Sequence, residues 1–95
     1  MTRKYELLYV LSLADGEEAM NNANERIEKL MSDNAEILDV DTWGKRRLAY
    51  EIEDEKEGYY VLVQFNSDPE FPKELDRVLK ISDYVLRHLI TRVEE

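Results

Sequence analysis

The first strong pattern along the chain is an alternation with a period of two. Over Tyr5–Leu13, successive side chains fall into two sets, and both sets are mostly apolar. A period of two is typical of a β-strand, whose side chains point alternately to its two faces. Because neither set is polar throughout, both faces of this strand are expected to be covered.

The spacing becomes helical after Asp15. Glu17 and Glu18 would lie in the first helical turn, where negative charge is favourable, and Asp15 stands at the expected N-cap. We expect the helix to end at Asp33-Asn34. Its apolar residues recur three or four positions apart, which predicts an amphipathic helix of about five turns: Met20, Ala23, Ile27, Leu30 and Met31.

A long extended segment, Ile37–Ile52, follows the helix. Gly44 interrupts it, and a glycine inside a strand predicts a bulge or a bend. The acidic stretch Glu53–Glu57 with Gly58 is the predicted hairpin connection to a third strand, Tyr59–Phe65. These two strands are therefore expected to pair antiparallel.

The last third of the chain predicts one more helix and one more strand. Asp68-Pro69 opens the helix, because proline is favoured near a first turn, and Tyr84–Val93 forms the strand. The complete order is the split βαβ arrangement of ferredoxin-like folds. We predict one α+β domain over residues 1–95, βαββαβ, with a four-stranded antiparallel sheet and both helices on one face. The apolar stripe of the second helix is Phe71, Leu75, Val78 and Leu79.

Alternation in the first and third strands also predicts which side chains face the helices. One set is assigned to the core: Leu7, Leu11, Val61, Val63 and Phe65. The other set is assigned to the uncovered sheet face and is joined by a residue of the last strand: Leu8, Val10, Tyr60, Leu62 and Leu89. An antiparallel sheet face in water is normally polar, so this apolar set predicts a partner-binding surface. The alternative is that these residues only fill the strands.

Charge is the next informative property. The chain has 13 basic and 22 acidic residues, a formal net charge of −9, which opposes attraction to nucleic acid. Lys45-Arg46-Arg47 is the one concentrated positive segment, and it follows Gly44 directly. Three cations at a bend suit contact with phosphates from several directions, although a solvated charge run explains the spacing equally well.

No segment predicts catalysis or a bound cofactor. His88 is the one histidine, which cannot by itself build a triad or a metal site, and the chain has no cysteine. Its three glycines are not spaced as a phosphate-binding loop. The acidic segment Leu13–Glu18 would repel the phosphate that an acylphosphatase of this topology binds. We predict a protein that is not an enzyme, with no metal, cofactor or small-molecule substrate.

The sequence shows neither a membrane-spanning segment nor a signal peptide. No run approaches the roughly 20 apolar residues that cross a bilayer, and Met1–Glu6 is charged, without the apolar region of a signal peptide. We expect a cytoplasmic protein without a membrane partner.

One segment resembles a known family. Trp43-Gly44-Lys45-Arg46-Arg47-Leu48-Ala49-Tyr50-Glu51-Ile52, followed by Gly58-Tyr59-Tyr60, resembles the signature of the bacterial small-subunit ribosomal protein S-six (S6) family. Tyr5-Glu6 and Asp83–Leu89 resemble family positions too. The resemblance implies a structural component of the small ribosomal subunit that acts in translation. It also implies binding to the central domain of 16S rRNA, cooperatively with ribosomal protein S-eighteen (S18) as heterodimer partner.

The resemblance explains the charge, because a basic partner would supply much of the phosphate neutralisation. It implies that the partner-binding set is the uncovered apolar face. The residues expected to bind rRNA are Arg3, Lys45, Arg46, Arg47, Tyr50 and Arg87.

Two alternatives keep the same topology. The first is an RNA-recognition module, which stacks single-stranded bases on aromatic residues of its open sheet face. The second is a regulatory domain that homodimerises through that face. Tyr9 separates the two RNA-binding readings, because the ribosomal reading buries it in the core and the recognition-module reading exposes it to bases.

Overall fold

The sheet and both helices follow the predicted order. The structure, a computed structural model, describes residues 2–52 and 54–93. The elements are β1 (Arg3–Leu11), α1 (Glu17–Asn34), β2 (Glu36–Ile52), β3 (Glu55–Ser67), α2 (Phe71–Ile81) and β4 (Val85–Arg92). The strands form one antiparallel sheet in the order β2-β3-β1-β4. The predicted ferredoxin-like βαββαβ fold is confirmed.

The core lies between the helices and one face of the central strands β1 and β3. Each residue that alternation assigned to this face is at most 1% exposed: Leu7, Leu11, Val61, Val63 and Phe65. The helices cover them with apolar side chains at helical spacing: Met20, Ile27 and Met31 from α1, and Phe71, Leu75 and Leu79 from α2. The predicted parity of both strands is therefore confirmed.

Tyr9 is a core residue. Its side chain is fully buried, and its hydroxyl donates a hydrogen bond to Asn24 Oδ1 of α1 at 2.6 Å. Burial, which disfavours the phenolate, raises the pKa of Tyr9 above its ordinary value. A base cannot stack on this ring, so the feature expected of an RNA-recognition module is absent at this position.

The start of α1 differs from the prediction. The N-cap residue is Gly16, with φ +96°, and no side chain caps the helix. A hydrogen bond from Gly16 N–H to the Leu13 carbonyl, 3.2 Å, closes a turn that contains Asp15. Asp15 is therefore one residue short of the cap, and its assignment as N-cap is wrong. Glycine adopts this backbone conformation without the steric cost that a Cβ imposes.

The start of α2 is also later than predicted. The helix begins at Phe71, and Pro72 rather than Pro69 lies in its first turn. Asp68 precedes the helix and caps its start. Its Oδ1 accepts hydrogen bonds from the backbone N–H groups of Glu70 and Phe71, both at 3.0 Å. A side-chain oxygen thus satisfies amide groups that have no partner within the helix.

The hairpin between β2 and β3 is tighter than predicted. β3 already begins at Glu55 and pairs with β2 from there, so the connection expected over Glu53–Gly58 is wrong for residues 55–58. Glu53 lies outside the described residues, and Asp54 has a left-handed φ of +67°. The predicted bulge at Gly44 is confirmed by a register shift after Thr42 and by φ +77° at the glycine.

Candidate nucleic-acid and partner interface

The β2–β3 hairpin extends beyond the end of the central strand. β1 pairs with β3 only as far as Leu11 opposite Tyr59, whereas β2 and β3 continue together to Ile52 opposite Glu55. We call residues 46–52 and 55–58 the hairpin arm. The arm carries three of the six predicted RNA-binding residues, Arg46, Arg47 and Tyr50.

The basic cluster lies where the arm leaves the sheet. Lys45, Arg46 and Arg47 are all exposed. Arg46 pairs with Gly58 and therefore points to the open side of the sheet, while its two neighbours point to the helix side. Lys45 Nζ lies 3.6 Å from Glu57 Oε2, but both side chains are about half exposed or more, so water screens this pair. The cluster thus presents cations on both faces of the strand.

A row of leucines crosses the open face. Leu8 of β1 is directly opposite Leu62 of β3 on one side and Leu89 of β4 on the other. Leu89 is 56% exposed, and the other two are partly exposed. Together with Tyr60, these residues form an apolar strip on the sheet face opposite the helices.

Val10 belongs to this face but is not exposed. Only 2% of it is accessible, because the hairpin arm lies against it. A Cβ added to Gly58 would be 2.4 Å from Val10 Cγ1 and 3.6 Å from Leu48 Cδ2. The open-face assignment of Val10 is correct, but the exposure expected of a partner contact is wrong.

Two predicted RNA-binding residues meet across the open face. Arg87 of β4 donates a hydrogen bond from Nη1 to the hydroxyl of Tyr50 in the arm, at 3.0 Å. Arg87 is opposite Val10, so this contact spans the buried valine. The bond brings a guanidinium and an exposed aromatic ring together beside the leucine row.

Arg3 is not part of this group. It pairs with Ser67, whereas the basic cluster begins opposite Tyr59. Eight residues of β3 separate the two places, a distance of about 26 Å along the strand. The structure therefore does not bring Arg3 onto one surface with the cluster.

Trp43 is a residue of this surface that the sequence analysis did not select. Its ring stacks on Tyr60 with centroids 6.0 Å apart and an interplanar angle of 14°. Its indole N–H donates to Asp41 Oδ2 at 2.9 Å. The bulge at Gly44 shifts the parity of β2, so alternation could not place it. Its position at the start of the family-like segment was the only available signal.

Comparison with known proteins identifies the family. The family model described as Ribosomal protein S6 matches residues 4–92. The chain belongs to the ribosomal protein S6 family. Its ferredoxin-like fold and basic β2 segment are thus features of a member of that family, as the resemblance predicted.

Relatives of this S6 protein cover nearly its whole length. Small ribosomal subunit protein bS6 of Alkaliphilus metalliredigens is 48% identical over 97% of the chain and 98% of its own length. The bS6 protein of Thermoanaerobacter pseudethanolicus is 50% identical over 98% and 99%. The crystal structure of 30S ribosomal protein S6 from Thermotoga maritima superposes with a TM-score of 0.89 at 27% identity, covering 98% of this chain and 89% of that one.

Family membership decides the question of catalysis. Proteins of the S6 family are structural, non-enzymatic components of the ribosome, which confirms the prediction of a non-enzyme in translation. It also confirms the predicted ribosomal location in the cytoplasm. Among the described residues, no helix is long and apolar enough to span a membrane, and no three His, Cys, Asp or Glu side chains cluster as a metal site would require.

His88 of this S6 protein has a structural role. Its side chain is 13% exposed, and Nε2 lies 2.7 Å from Asp76 Oδ1. This hydrogen bond from His88, with a second from Lys80, holds the pKa of Asp76 below its usual value. The pair joins β4 to α2, as expected of a satisfied, partly buried histidine.

Proposed function

We propose that this S6 protein, as one domain over residues 1–95, binds the central domain of 16S rRNA cooperatively with S18 as its heterodimer partner. One observation carries the proposal. An apolar row and exposed arginines lie on the same side of the sheet, opposite the helices. Leu62 and Leu89 belong to the row, and the arginines are Arg46 of the hairpin arm and Arg87 of β4.

The apolar row supports the protein contact. Leu8, Leu62, Leu89 and Tyr60 line a continuous strip, and the concave part around Tyr60 and Leu89 has a volume of about 250 Å³. Burying about 300 Å² of apolar surface is worth roughly 7 kcal/mol before the entropy of association is subtracted. Trp43 enlarges the strip, and aromatic residues are enriched among those that dominate binding energy.

The charge supports joint rather than independent RNA binding. A net charge of −9 opposes the approach of this chain to RNA, even where the local cluster attracts phosphate. A basic partner seated on the leucine row would add positive charge beside Lys45, Arg46 and Arg47 and offset the net negative charge of the chain. We therefore expect weak RNA binding by the isolated chain and tight binding by the heterodimer.

Filter-binding titrations of central-domain 16S rRNA, with and without S18, test this proposal. The Leu62→Asp variant should abolish the cooperativity and keep the fold. The matched control is Ile81→Asp, because Ile81 is also an exposed apolar residue, 69% accessible, but lies at the end of α2. Tight binding of the isolated wild-type chain, independent of S18, would show the heterodimer mechanism to be wrong.

The basic cluster is tested by salt dependence. Replacing Lys45, Arg46 and Arg47 together by alanine should reduce the log–log slope of affinity against salt by up to about 0.9 for each phosphate that the variant no longer neutralises. The control replaces Lys73, Arg77 and Lys80, three exposed cations of α2, and changes the net charge equally. Equal slopes for the wild type and the cluster variant would refute the assignment.

A further inference from the structure

β2 is an outer strand of the sheet, and one of its edges is open. In the part of the chain that the structure describes, β2 pairs only with β3. Between its first two register shifts, Asp39–Thr42 keeps an even register with β3. Alternate N–H and C=O groups of this segment therefore point away from the sheet and are available to another strand.

An apolar groove runs beside this edge, between β2 and α1. It has a volume of about 490 Å³ and is lined by Met31, Ile37, Val40 and Val63. Val40 is 43% exposed, and so is Leu38, its neighbour on the strand. A strand added to the open edge would place every second side chain over this groove.

Acidic side chains flank the groove and the edge. Glu25 and Glu28 form the helix rim, while Asp39 and Asp41 pair with β3 residues of the open face and lie on the other side of the strand. The one basic residue that lines the groove is Lys29, and its Nζ lies 3.2 Å from Asp33 Oδ2, so a carboxylate offsets its charge. A strand that pairs here is therefore favoured if it is basic, and a second copy of this acidic chain is disfavoured.

We propose that the Asp39–Thr42 edge binds an extended, basic segment of another protein by strand addition. Apolar side chains of that segment enter the groove over Val40, and its lysine or arginine side chains reach Asp39 and Asp41. Main-chain hydrogen bonds supply affinity, and the groove and carboxylates supply specificity. This edge adjoins the leucine row, since Asp41 is opposite Leu62, and its test therefore uses the chain and a peptide alone, without RNA or S18.

The probe is a blocked peptide in which lysine and valine alternate. Amide NMR titration of the full chain should give saturable shifts at Asp39–Thr42 and at the facing residues of α1. Trp43, the only tryptophan of the chain, should report the same binding by fluorescence. The same peptide with every backbone nitrogen methylated, which has no N–H donor to pair with β2, should bind much more weakly.

Charge reversal tests the acidic flank. Glu25→Lys combined with Asp39→Lys should weaken binding about tenfold, because each change replaces an attraction by a repulsion of similar size. The matched control is Asp15→Lys with Asp83→Lys, which alters net charge equally in loops far from the groove and should change affinity less than about twofold at physiological salt.

Three results would overturn the proposal. One is equal binding of the N-methylated peptide, which would mean that no strand is added. Another is a set of shifts centred on Leu8, Leu62 and Leu89, which would place the peptide on the open face. The third is self-association of the chain without peptide that protects Asp39–Thr42, which would make a second copy the occupant.

Discussion

A single glycine allows the hairpin arm to lie against the sheet. Gly58 is buried opposite Arg46, and its missing Cβ leaves room for Val10. Valine is branched at Cβ and cannot easily rotate away from a new neighbour. The open face therefore has its present shape because residue 58 has no side chain.

Gly58→Ala should destabilise the protein by about 1–3 kcal/mol, since a Cβ would lie 2.4 Å from Val10 Cγ1 and the core would be overpacked. Urea unfolding measures the change. In a Val10→Ala background, where Cγ1 is absent, the same substitution should cost clearly less. An equal cost in both backgrounds would show that this contact is not the cause.

Asp76 makes the free energy of unfolding depend on pH in the acidic range. Its pKa is lowered from 3.8 by the hydrogen bonds from His88 and Lys80, so the unfolded chain binds this proton more readily than the folded one. The resulting stabilisation is present above about pH 4 and is lost as pH falls through the lowered folded-state pKa.

Asp76→Asn should therefore reduce the loss of unfolding free energy between about pH 4 and pH 2. Urea titrations at a series of pH values measure it. Asp83→Asn is the control, because Asp83 is an exposed aspartate in the loop before β4. A pH profile of Asp76→Asn that coincides with wild type would contradict the role of the pair.

At the scale of elements, the hairpin arm is held to the rest of the molecule at two places. Near its tip, Tyr50 accepts the bond from Arg87 of β4. At the start of β3, the Ser12 hydroxyl donates its one proton to the Glu55 carboxylate, whose two oxygens lie 2.7 and 2.9 Å away, and the Leu13 N–H donates to the same carboxylate at 3.1 Å. The arm therefore has a defined orientation although it extends beyond β1.

Glu55→Ala should cost about 1–3 kcal/mol, because it leaves the Ser12 hydroxyl and the Leu13 N–H without their acceptor. Ser12 is only 8% exposed, so water replaces the carboxylate poorly. Hydrogen exchange of the Leu13 amide should accelerate. Glu57→Ala, which removes only the exposed contact with Lys45, should cost less than about 1 kcal/mol. Equal effects of the two substitutions would argue against the anchoring role.

At the scale of the whole molecule, charge opposes compactness. The excess of 22 acidic over 13 basic residues creates net repulsion. The lysine–carboxylate pairs have side chains 40% to 80% exposed and offset little of it. The same excess, acting on RNA, is the reason for proposing a basic partner.

Salt should therefore raise the melting temperature. Between about 0.02 M and about 0.5 M NaCl, screening weakens the repulsion over distances beyond a few ångströms. Differential scanning calorimetry measures the shift. Near pH 4.5, which is close to the isoelectric point of about 4.6 for this sequence, the net charge is small and the effect should shrink. A melting temperature that falls with salt at neutral pH would mean that ion pairs dominate.

The sequence by itself determined which way the residues of β1 and β3 point. A strand has a period of two and a helix one of 3.6, so local spacing predicted the buried side chains of β1 and β3 and the apolar stripes of both helices. Element order then led to the fold. The family-like segment that begins at Trp43 located the basic cluster. Its three cations are consecutive in the sequence, and adjacent residues in a strand stay adjacent in space.

Only the tertiary structure decided what lies over each residue. Val10 was assigned to the correct face, but spacing along β1 cannot show that Gly58 of the hairpin arm lies against it. The stacking of Trp43 on Tyr60, the bond from Ser12 to Glu55 and the distance of Arg3 from the cluster depend in the same way on strand register and on the bulge at Gly44. Periodicity determines orientation because it is local, whereas coverage depends on contacts between segments that are distant in the chain.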